Sequence, residues 1–135
     1  WILDVAHNAH AATVLAQGLR ERPCAGHTHI VIGMLADKDA LALAGVLNGV
    51  ADLWYPATLP GSRGRSGEQL AQTLRTVAGP KVTGTHPSIT DACRNAAGQA
   101  QPGDRIVVCG SFYAVAEILQ NSVIESLSIS TAAGG

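Results

Sequence analysis

Five short apolar runs alternate with five helix-like segments along the chain. The predicted strands cover residues 1–6, 29–35, 50–55, 81–84 and 106–109. The predicted helices run from residue 8 to near residue 23, and over residues 39–47, 66–77, 88–98 and 111–119. The strands are continuously apolar, which is typical of parallel strands that helices cover on both faces. We therefore predict an α/β fold with three layers and a mostly parallel sheet.

Composition excludes several classes of protein. Hydrophobic residues make up 47% of the 135 residues and charged residues 14%, so the chain is not intrinsically disordered. It has no apolar run of about 18 residues, which a membrane-spanning helix needs. Nine basic and ten acidic residues give a net charge of -1, whereas nucleic-acid-binding domains usually carry a basic excess. We predict no membrane partner and no nucleic-acid partner.

The three cysteines are Cys24, Cys93 and Cys109, and they form no CxxC pair. Separated thiols in odd number indicate a reducing compartment, so we predict a cytoplasmic protein. The chain opens on Trp1 with no signal peptide before it. We expect a piece of a longer polypeptide or a processed form.

Polar residues follow the first predicted strand, where parallel sheets bind their ligands. Asp4, His7 and Asn8 lie between this strand and a helix start, which offers unpaired N–H groups and partial positive charge. A carboxylate there can accept two hydrogen bonds from a ribose diol. The alternative is structural: Asn8 caps the helix, His7 is a loop residue and Asp4 pairs with a nearby cation.

Two further strand-to-helix loops carry candidate binding residues. After the second strand, Lys38 stands between Asp37 and Asp39, which suits a polar ligand or, equally, a helix cap with a local ion pair. After the last strand, Ser111 and Tyr113 open a helix without the G-x-S-x-G of a nucleophile elbow. Ser111 is therefore expected to be an N-cap or a donor to a bound carboxylate.

Other motifs argue against chemistry carried by this chain alone. Arg63 and Arg65 lie in a loop that could meet an anion, although exposed arginines of this kind are usually solvated. The pairs His7/His10 and His27/His29 have no third ligand at metal-binding spacing, so we predict no metal site. Neither GxxxxGK[ST] nor a post-strand GxGxxG is present. We assign no catalytic residue.

Four motifs together resemble one family. They are LDVAHN at residues 3–8, GMLADKD at 33–39, GSRG with a following EQL at 61–70, and CGSF at 109–112. In this order they look like the C-terminal domain of folylpolyglutamate synthase, in particular the bacterial bifunctional dihydrofolate synthase type, within the Mur ligase superfamily. The resemblance covers residues 1–120, and we expect the tail, 121–135, to fray. The family usually has proline where this chain has Ala9.

The resemblance implies an ATP-dependent ligase of folate biosynthesis. In that family ATP phosphorylates a substrate carboxylate, and the amino group of L-glutamate attacks the acyl phosphate to form an amide. The P-loop and the Mg²⁺ ligands lie in an N-terminal ATPase domain, which is absent from this chain. The present domain would be a Rossmann-like lid, inactive alone, that closes over ATP and helps to bind glutamate, whereas most of the site for the folate substrate would lie in the N-terminal domain.

The resemblance also implies roles for the candidate residues. Asp4 would contact the ATP ribose, His7 would lie beside the nucleotide or the incoming glutamate, and Asn8 is a further candidate for nucleotide binding. Ser111, Tyr113 and Lys38 are candidates for substrate binding, and Lys38 could instead only brace its turn. Two other classes stay open from the residues themselves. One is a free-standing, non-catalytic nucleotide-binding module, and the other is a structural or interaction domain without a crevice at the carboxyl ends of the strands.

Overall fold

The computed structural model describes residues 1–4, 6–36, 38–61 and 64–120. The tail that the sequence predicts to fray lies outside these ranges. The elements in chain order are β1 (Ile2–Leu3), α1 (Ala9–Glu21), β2 (Thr28–Ile32), α2 (Ala40–Leu47), β3 (Leu53–Pro56), α3 (Gly67–Ala78), α4 (Ile89–Gln99), β4 (Arg105–Cys109) and α5 (Phe112–Gln120). A short 3-10 helix, Gly79–Lys81, follows α3.

The four strands form one sheet in the order β1-β4-β2-β3, and every pairing is parallel. β4, the last strand within the described ranges, therefore lies between β1 and β2. Ile30 of β2 is in register with Val107 of β4 on one side and with Trp54 of β3 on the other. The predicted parallel sheet is confirmed, and the carboxyl ends of all four strands face one edge.

Helices cover both faces of the sheet. Ile30 and Ile32 point into a core formed with α1, α2 and α3, whereas Val31 points into a second core formed with α4 and α5. Successive side chains of a strand alternate between the faces, so a continuously apolar strand serves both cores. The predicted three-layer α/β architecture is confirmed.

Polar side chains begin the helices where the sequence predicts. The Asn8 side chain accepts a hydrogen bond from the Ala11 N–H at 2.8 Å, and Asp39 accepts one from the Ala42 N–H at 3.0 Å. Ser66 caps α3 in the same way. These caps satisfy N–H groups that a helix start leaves without an intrahelical partner. In the part of the chain that the structure describes, no helix meets the length and apolarity that crossing a membrane requires.

The predicted strand at residues 81–84 is wrong. The segment begins in the 3-10 helix, and only isolated parallel bridges follow, from Val82 to Trp54 and from His86 to Ala57. Gly84 lies between them with a φ of 123°, a left-handed conformation that turns the backbone out of continuous pairing. This segment therefore runs along the edge of β3 without becoming a strand.

Three other strands are shorter than predicted. β1 has 2 residues instead of the six predicted, since the chain turns at Asp4. β2 ends at Ile32, before the predicted end at Leu35. β3 begins at Leu53 rather than at residue 50, and it ends at Pro56 rather than at residue 55. Pro56 has no N–H to donate, but its carbonyl accepts from the His86 N–H at 3.0 Å.

Candidate functional site

Backbone hydrogen bonds join the loops that follow β1, β4 and β2. The Gly110 N–H donates to the Ala6 carbonyl at 2.8 Å, and the Gly33 N–H donates to the Cys109 carbonyl at 3.3 Å. The loops therefore lie side by side in the order of their strands. We call the described residues of these loops, 4, 6–8, 33–36, 38 and 110–113, the carboxyl rim. The rim brings together all six binding residues that the sequence predicts.

Gly110 allows the loop after β4 to lie this close to the loop after β2. Its φ is 103°, which side-chain-bearing residues rarely adopt. A Cβ at this position would lie 2.6 Å from the Gly33 carbonyl oxygen. Only glycine therefore lets the chain turn from β4 into Ser111 while keeping contact with the loop after β2.

Asp4 lies at the carboxyl end of β1 and is partly exposed. Its N–H donates to the Val108 carbonyl at 2.9 Å, which fixes it to the end of β4. One carboxylate oxygen, Oδ1, accepts from the Ala6 N–H at 2.7 Å and holds the side chain in a tight turn. No salt bridge to Asp4 is found among the described residues, so the structure does not support the alternative of a pair with a neighbouring cation.

A buried thiol lies close enough to Asp4 to sense its charge. Burial and, second, the negative charge of Asp4 raise the pKa of Cys109 to about 12. Cys109 therefore stays protonated at neutral pH and is no nucleophile, because thiols react as thiolates. It fills the core beneath the rim instead.

His7 and Asn8 are exposed at the start of α1. The Asn8 side chain caps the helix, and α1 begins at Ala9 although proline is usual there in the family that the sequence resembles. The start of α1 brings backbone N–H groups and the positive end of the helix dipole to the rim. Capping by Asn8 is confirmed, and its contact with a nucleotide, like that of His7, stays a prediction.

Ser111 and Tyr113 lie at the start of α5, on the middle loop of the rim. Ser111 is buried, and its Oγ accepts a hydrogen bond from the Tyr113 N–H at 3.1 Å. The Ser111 carbonyl accepts from the N–H groups of Ala114 and Val115, so the expected N-cap role is confirmed. The Tyr113 side chain is 62% exposed. Substrate binding by either residue stays a prediction.

The loop after β2 carries Lys38, which is half-buried. The neighbouring Asp39 caps α2, as one of the two predicted alternatives has it. Asp37 lies outside the described residues. The Lys38 N–H donates to the Leu35 carbonyl at 3.2 Å, which closes the loop as a turn.

Arg65 is not the solvated loop arginine that the sequence suggests. It is half-buried, and its Nη2 donates to the carbonyl oxygens of Ala36 at 3.0 Å and Lys38 at 2.6 Å. The residues that it contacts are almost thirty positions earlier in the chain, so no local pattern indicates this contact. Ser62 and Arg63 lie outside the described residues.

A buried polar network at the opposite edge of the sheet was also missed. His29 donates from Nε2 to the Asp104 carboxylate at 2.7 Å, and its Nδ1 lies 2.8 Å from the Tyr55 hydroxyl. Both ring nitrogens are therefore occupied, which removes His29 from any metal site shared with His27. Within the described ranges, no group of three or more His, Cys, Asp or Glu residues could hold a metal ion.

A cleft of about 890 Å³ lies along the outer edge of β1 and α1. Asp4 lines one end and Asp104 the other, but His7, Ser111 and Tyr113 are not in its lining. A second cleft of about 570 Å³ lies between Trp1 and the turn before β4. The rim, where polar side chains and two helix starts converge, is the better candidate for a charged ligand.

Comparison with known proteins places these features in context. Residues 1–112 match a family model described as the glutamate ligase domain of Mur ligases. The dihydrofolate synthase/folylpolyglutamate synthase of Escherichia coli (strain K12) is 39% identical over 119 residues, which are 88% of this chain and 27% of that protein.

Solved structures agree with the sequence comparison. E. coli FolC in complex with DHPP and ADP aligns with a TM-score of 0.81 and 36% identity, over 91% of this chain and 28% of that one. A bifunctional folylpolyglutamate synthase/dihydrofolate synthase with Mn, AMPPNP and L-glutamate bound aligns with a TM-score of 0.78 and 38% identity, over 89% and 28%. The chain thus spans little more than a quarter of the length of these relatives.

Proposed function

Because this chain belongs to the Mur ligase family, as a glutamate ligase domain, we propose that it is the lid of an ATP-dependent ligase that adds L-glutamate to dihydropteroate, to folates or to both. The four motifs of the sequence predict this family, and the comparisons confirm it. The proposed substrates are supported by relatives that are dihydrofolate and folylpolyglutamate synthases, and by related structures that hold ADP, or AMPPNP with L-glutamate.

The proposed reaction has two steps. A carboxylate oxygen of the folate-type substrate takes the γ-phosphoryl group of ATP, which leaves ADP and an acyl phosphate. The amino nitrogen of L-glutamate then attacks the acyl carbon, phosphate leaves, and the amine loses a proton as the amide forms.

We place the groups that grip the triphosphate in an N-terminal P-loop domain of the same polypeptide. The described part of this chain has no acidic or histidine cluster for a metal ion, and its sequence has no P-loop motif. Mg²⁺ bound in that domain would offset the negative charge of the phosphates. The described residues do not fit a metal site of their own, so we derive no step from such an ion here.

The observation that carries the proposal is that three loops and two helix starts converge on one rim. Asp4 stands at the end of β1 with one carboxylate oxygen fixed by Ala6, which orients the carboxylate for the ribose hydroxyls. His7 and Asn8, at the start of α1, would lie along the nucleotide. Ser111 and Tyr113, at the start of α5, would meet the incoming glutamate.

A separate lid suits this chemistry. An acyl phosphate is readily hydrolysed, so a domain that closes over it keeps water from competing with the amine. Phosphoryl transfer depends mainly on positioning and charge stabilisation, and both improve when two domains enclose the reactants. On this proposal the isolated chain has no ligase activity.

A domain exchange tests the proposal. This chain replaces the matching carboxyl-terminal region of the E. coli relative, and ATP-dependent addition of glutamate to dihydropteroate and to a folate is measured. We expect the chimera to be active. The E. coli relative without its carboxyl-terminal region should be inactive. A folded chimera that turns over neither substrate would contradict the proposal.

Calorimetry with the isolated chain separates the proposal from a free-standing nucleotide-binding module. A lid carries only part of the ATP site, so we expect binding too weak to measure at micromolar ATP. Submicromolar binding would favour the free-standing module instead.

A further inference from the structure

A second loop braces the loop after β2. The N–H of Arg65 donates to the Met34 carbonyl at 2.8 Å, and Leu35 and Gly64 form an antiparallel bridge. The backbone of the loop before α3 therefore pairs with the backbone of the loop before α2. This pairing brings the Arg65 side chain to Ala36 and Lys38.

The Arg65 guanidinium continues the brace. A single nitrogen, Nη2, donates to the carbonyls of Ala36 and Lys38, at 3.0 and 2.6 Å. The Lys38 carbonyl also accepts from the Ala40 N–H at 3.1 Å, at the start of α2. Both ends of the short segment that carries Lys38 are thereby fixed. The buried Nε of Arg65 has no hydrogen-bond partner in the described ranges, so it is the carbonyl contacts that account for the placement of this side chain.

Arg65 can hold this segment because its own backbone is fixed. The Arg65 carbonyl accepts from the Leu59 N–H at 3.3 Å, and the next residue, Ser66, caps α3. The Gly67 N–H donates to the Thr58 hydroxyl at 2.7 Å. The brace is therefore anchored to the segment after β3 and to the start of α3, both outside the rim, and it holds the loop after β2 from there.

We propose that Arg65 is a positioning residue for Lys38 and, through it, for the carboxylate of the amino-acid substrate. This inference rests on the proposed function. The Lys38 ammonium is a point charge on a long flexible stem, so its reach is defined only if its backbone is held. Arg65 touches no substrate in this scheme and acts by keeping that backbone in place. Arginine suits the role because its planar, always charged group donates to two carbonyls at once.

Hydrogen exchange on the 135-residue chain tests the brace without any enzyme assay. We compare Arg65→Ala and Arg65→Lys with Arg75→Ala, a control on the exposed face of α3. In Arg65→Ala we expect the Lys38 and Ala40 amides to exchange about tenfold faster. The loop then opens at a lower free-energy cost, because the hydrogen bonds from Arg65 no longer have to break. The Ile30 amide, in the middle of β2, reports whether the whole fold has loosened. Unchanged exchange at Lys38 and Ala40 would overturn the proposal.

Kinetics of the active chimera test the consequence for the substrate. We expect Arg65→Ala and Lys38→Ala each to raise the KM for glutamate about tenfold, with a smaller change in kcat and in the KM for ATP. The double variant should be no worse than Lys38→Ala, because both changes remove the same interaction. Arg65→Lys should recover part of the loss, and Arg75→Ala should match the unaltered chimera.

The two failures are distinguishable. An unaltered chimera without ligase activity speaks against the proposed function, while the exchange experiment still decides whether Arg65 braces the loop. If the chimera is active and Arg65→Ala leaves its KM for glutamate unchanged, the positioning role is overturned. Fully additive effects of Arg65→Ala and Lys38→Ala on this KM would also overturn it. A rise in the KM for ATP alone would also overturn it, since the bound group would then be a phosphate.

Discussion

His29 Nε2 lies 2.7 Å from Asp104 Oδ2, although the two residues are 75 positions apart in the sequence. A carboxylate only accepts hydrogen bonds, so Nε2 carries the proton, and Nδ1 is left to bond with the Tyr55 hydroxyl at 2.8 Å. Asp104 also accepts from the N–H groups of His27 and Gln101. This network ties the starts of β2 and β4 to β3, at the edge of the sheet opposite the rim.

We predict that this network makes the fold less stable at acidic pH. Burial alone would raise the pKa of Asp104, but hydrogen bonds from Gln101, His29 and His27 outweigh it and lower the pKa from 3.8 to about 2. A lowered pKa in the folded chain means that ionised Asp104 stabilises it above about pH 4. That contribution is lost as the pH falls from about 4 to about 2.

Denaturant unfolding at several pH values checks this prediction. We expect Asp104→Asn to cost about 2 kcal/mol at pH 7, since buried donors lose a charged acceptor. The difference from the unaltered chain should shrink as the pH falls from about 4 to about 2, because Asp104 of the unaltered chain is protonated first in the unfolded state and then in the folded state. A difference that stays constant from pH 7 to pH 2 would mean that the charge of Asp104 has no part in the effect.

The Tyr55 hydroxyl should ionise far above the usual pH for a phenol. Burial and, second, the negative charge of Asp104 raise the pKa of Tyr55 from 10.0 to about 12. The chain has two tyrosines, so Tyr113→Phe leaves Tyr55 as the sole phenol. In this variant the ultraviolet absorbance of phenolate should rise near pH 12, provided that the chain is still folded there by circular dichroism. Adding Asp104→Asn should move the midpoint down, and a midpoint near 10 in the folded chain would contradict the structure.

The sequence predicted those parts of the fold that depend on local patterns. Continuous apolar runs identified the parallel strands, and Asn8, Asp39 and Ser66 identified three helix starts. The common edge at which the carboxyl ends meet followed from the parallel arrangement of the strands, and ligand binding at that edge stays a prediction. The wrong prediction of a strand at 81–84 has a local cause too. The sequence shows a glycine at position 84, but a sequence pattern does not show that its backbone is left-handed.

Contacts between distant segments could not be predicted in this way. His29 stands in an apolar strand, and Asp104 follows a Pro-Gly turn, so nothing local indicates that they pair. Arg65 lies in a loop whose composition is typical of solvated loops. Only the tertiary structure brings its guanidinium to Ala36 and Lys38. The four motifs include residues of the rim. They do not include His29, Asp104 or Arg65, which lie outside the motifs or between them.

Gly110 should tolerate no side chain. Alanine there combines an unfavourable positive φ with a Cβ 2.6 Å from the Gly33 carbonyl oxygen, so we expect Gly110→Ala to destabilise the chain by at least about 2 kcal/mol. Gly98→Ala is the matched control, because Gly98 lies in α4 with no atom within 4 Å of an added Cβ. That change should stabilise by up to about 1 kcal/mol, as alanine favours helices. Thermal unfolding of both variants measures the contrast, and equal melting temperatures would refute the close approach of the two loops.

The charge of Asp4, rather than its turn, should matter for the nucleotide. Asp4→Asn keeps an oxygen that can accept from the Ala6 N–H, whereas Asp4→Ala removes it. Both variants lose the negative charge proposed to bind the ribose hydroxyls. A hydrogen bond to a charged group contributes about 1.5 kcal/mol or more, so we expect the KM for ATP of the active chimera to rise about tenfold in both variants.

Stability separates the two roles of Asp4. Asp4→Asn should unfold at nearly the same temperature as the unaltered chain, and Asp4→Ala at a lower one, because only alanine breaks the turn at the end of β1. Glu68→Gln removes an exposed negative charge from the first turn of α3 and should leave the KM for ATP unchanged, with a slightly lower melting temperature because the carboxylate stabilises the positive end of that helix. If Asp4→Asn keeps the original KM for ATP while Asp4→Ala raises it, Asp4 acts only by shaping the loop before α1. The ribose contact would then have to be assigned to another residue of the rim.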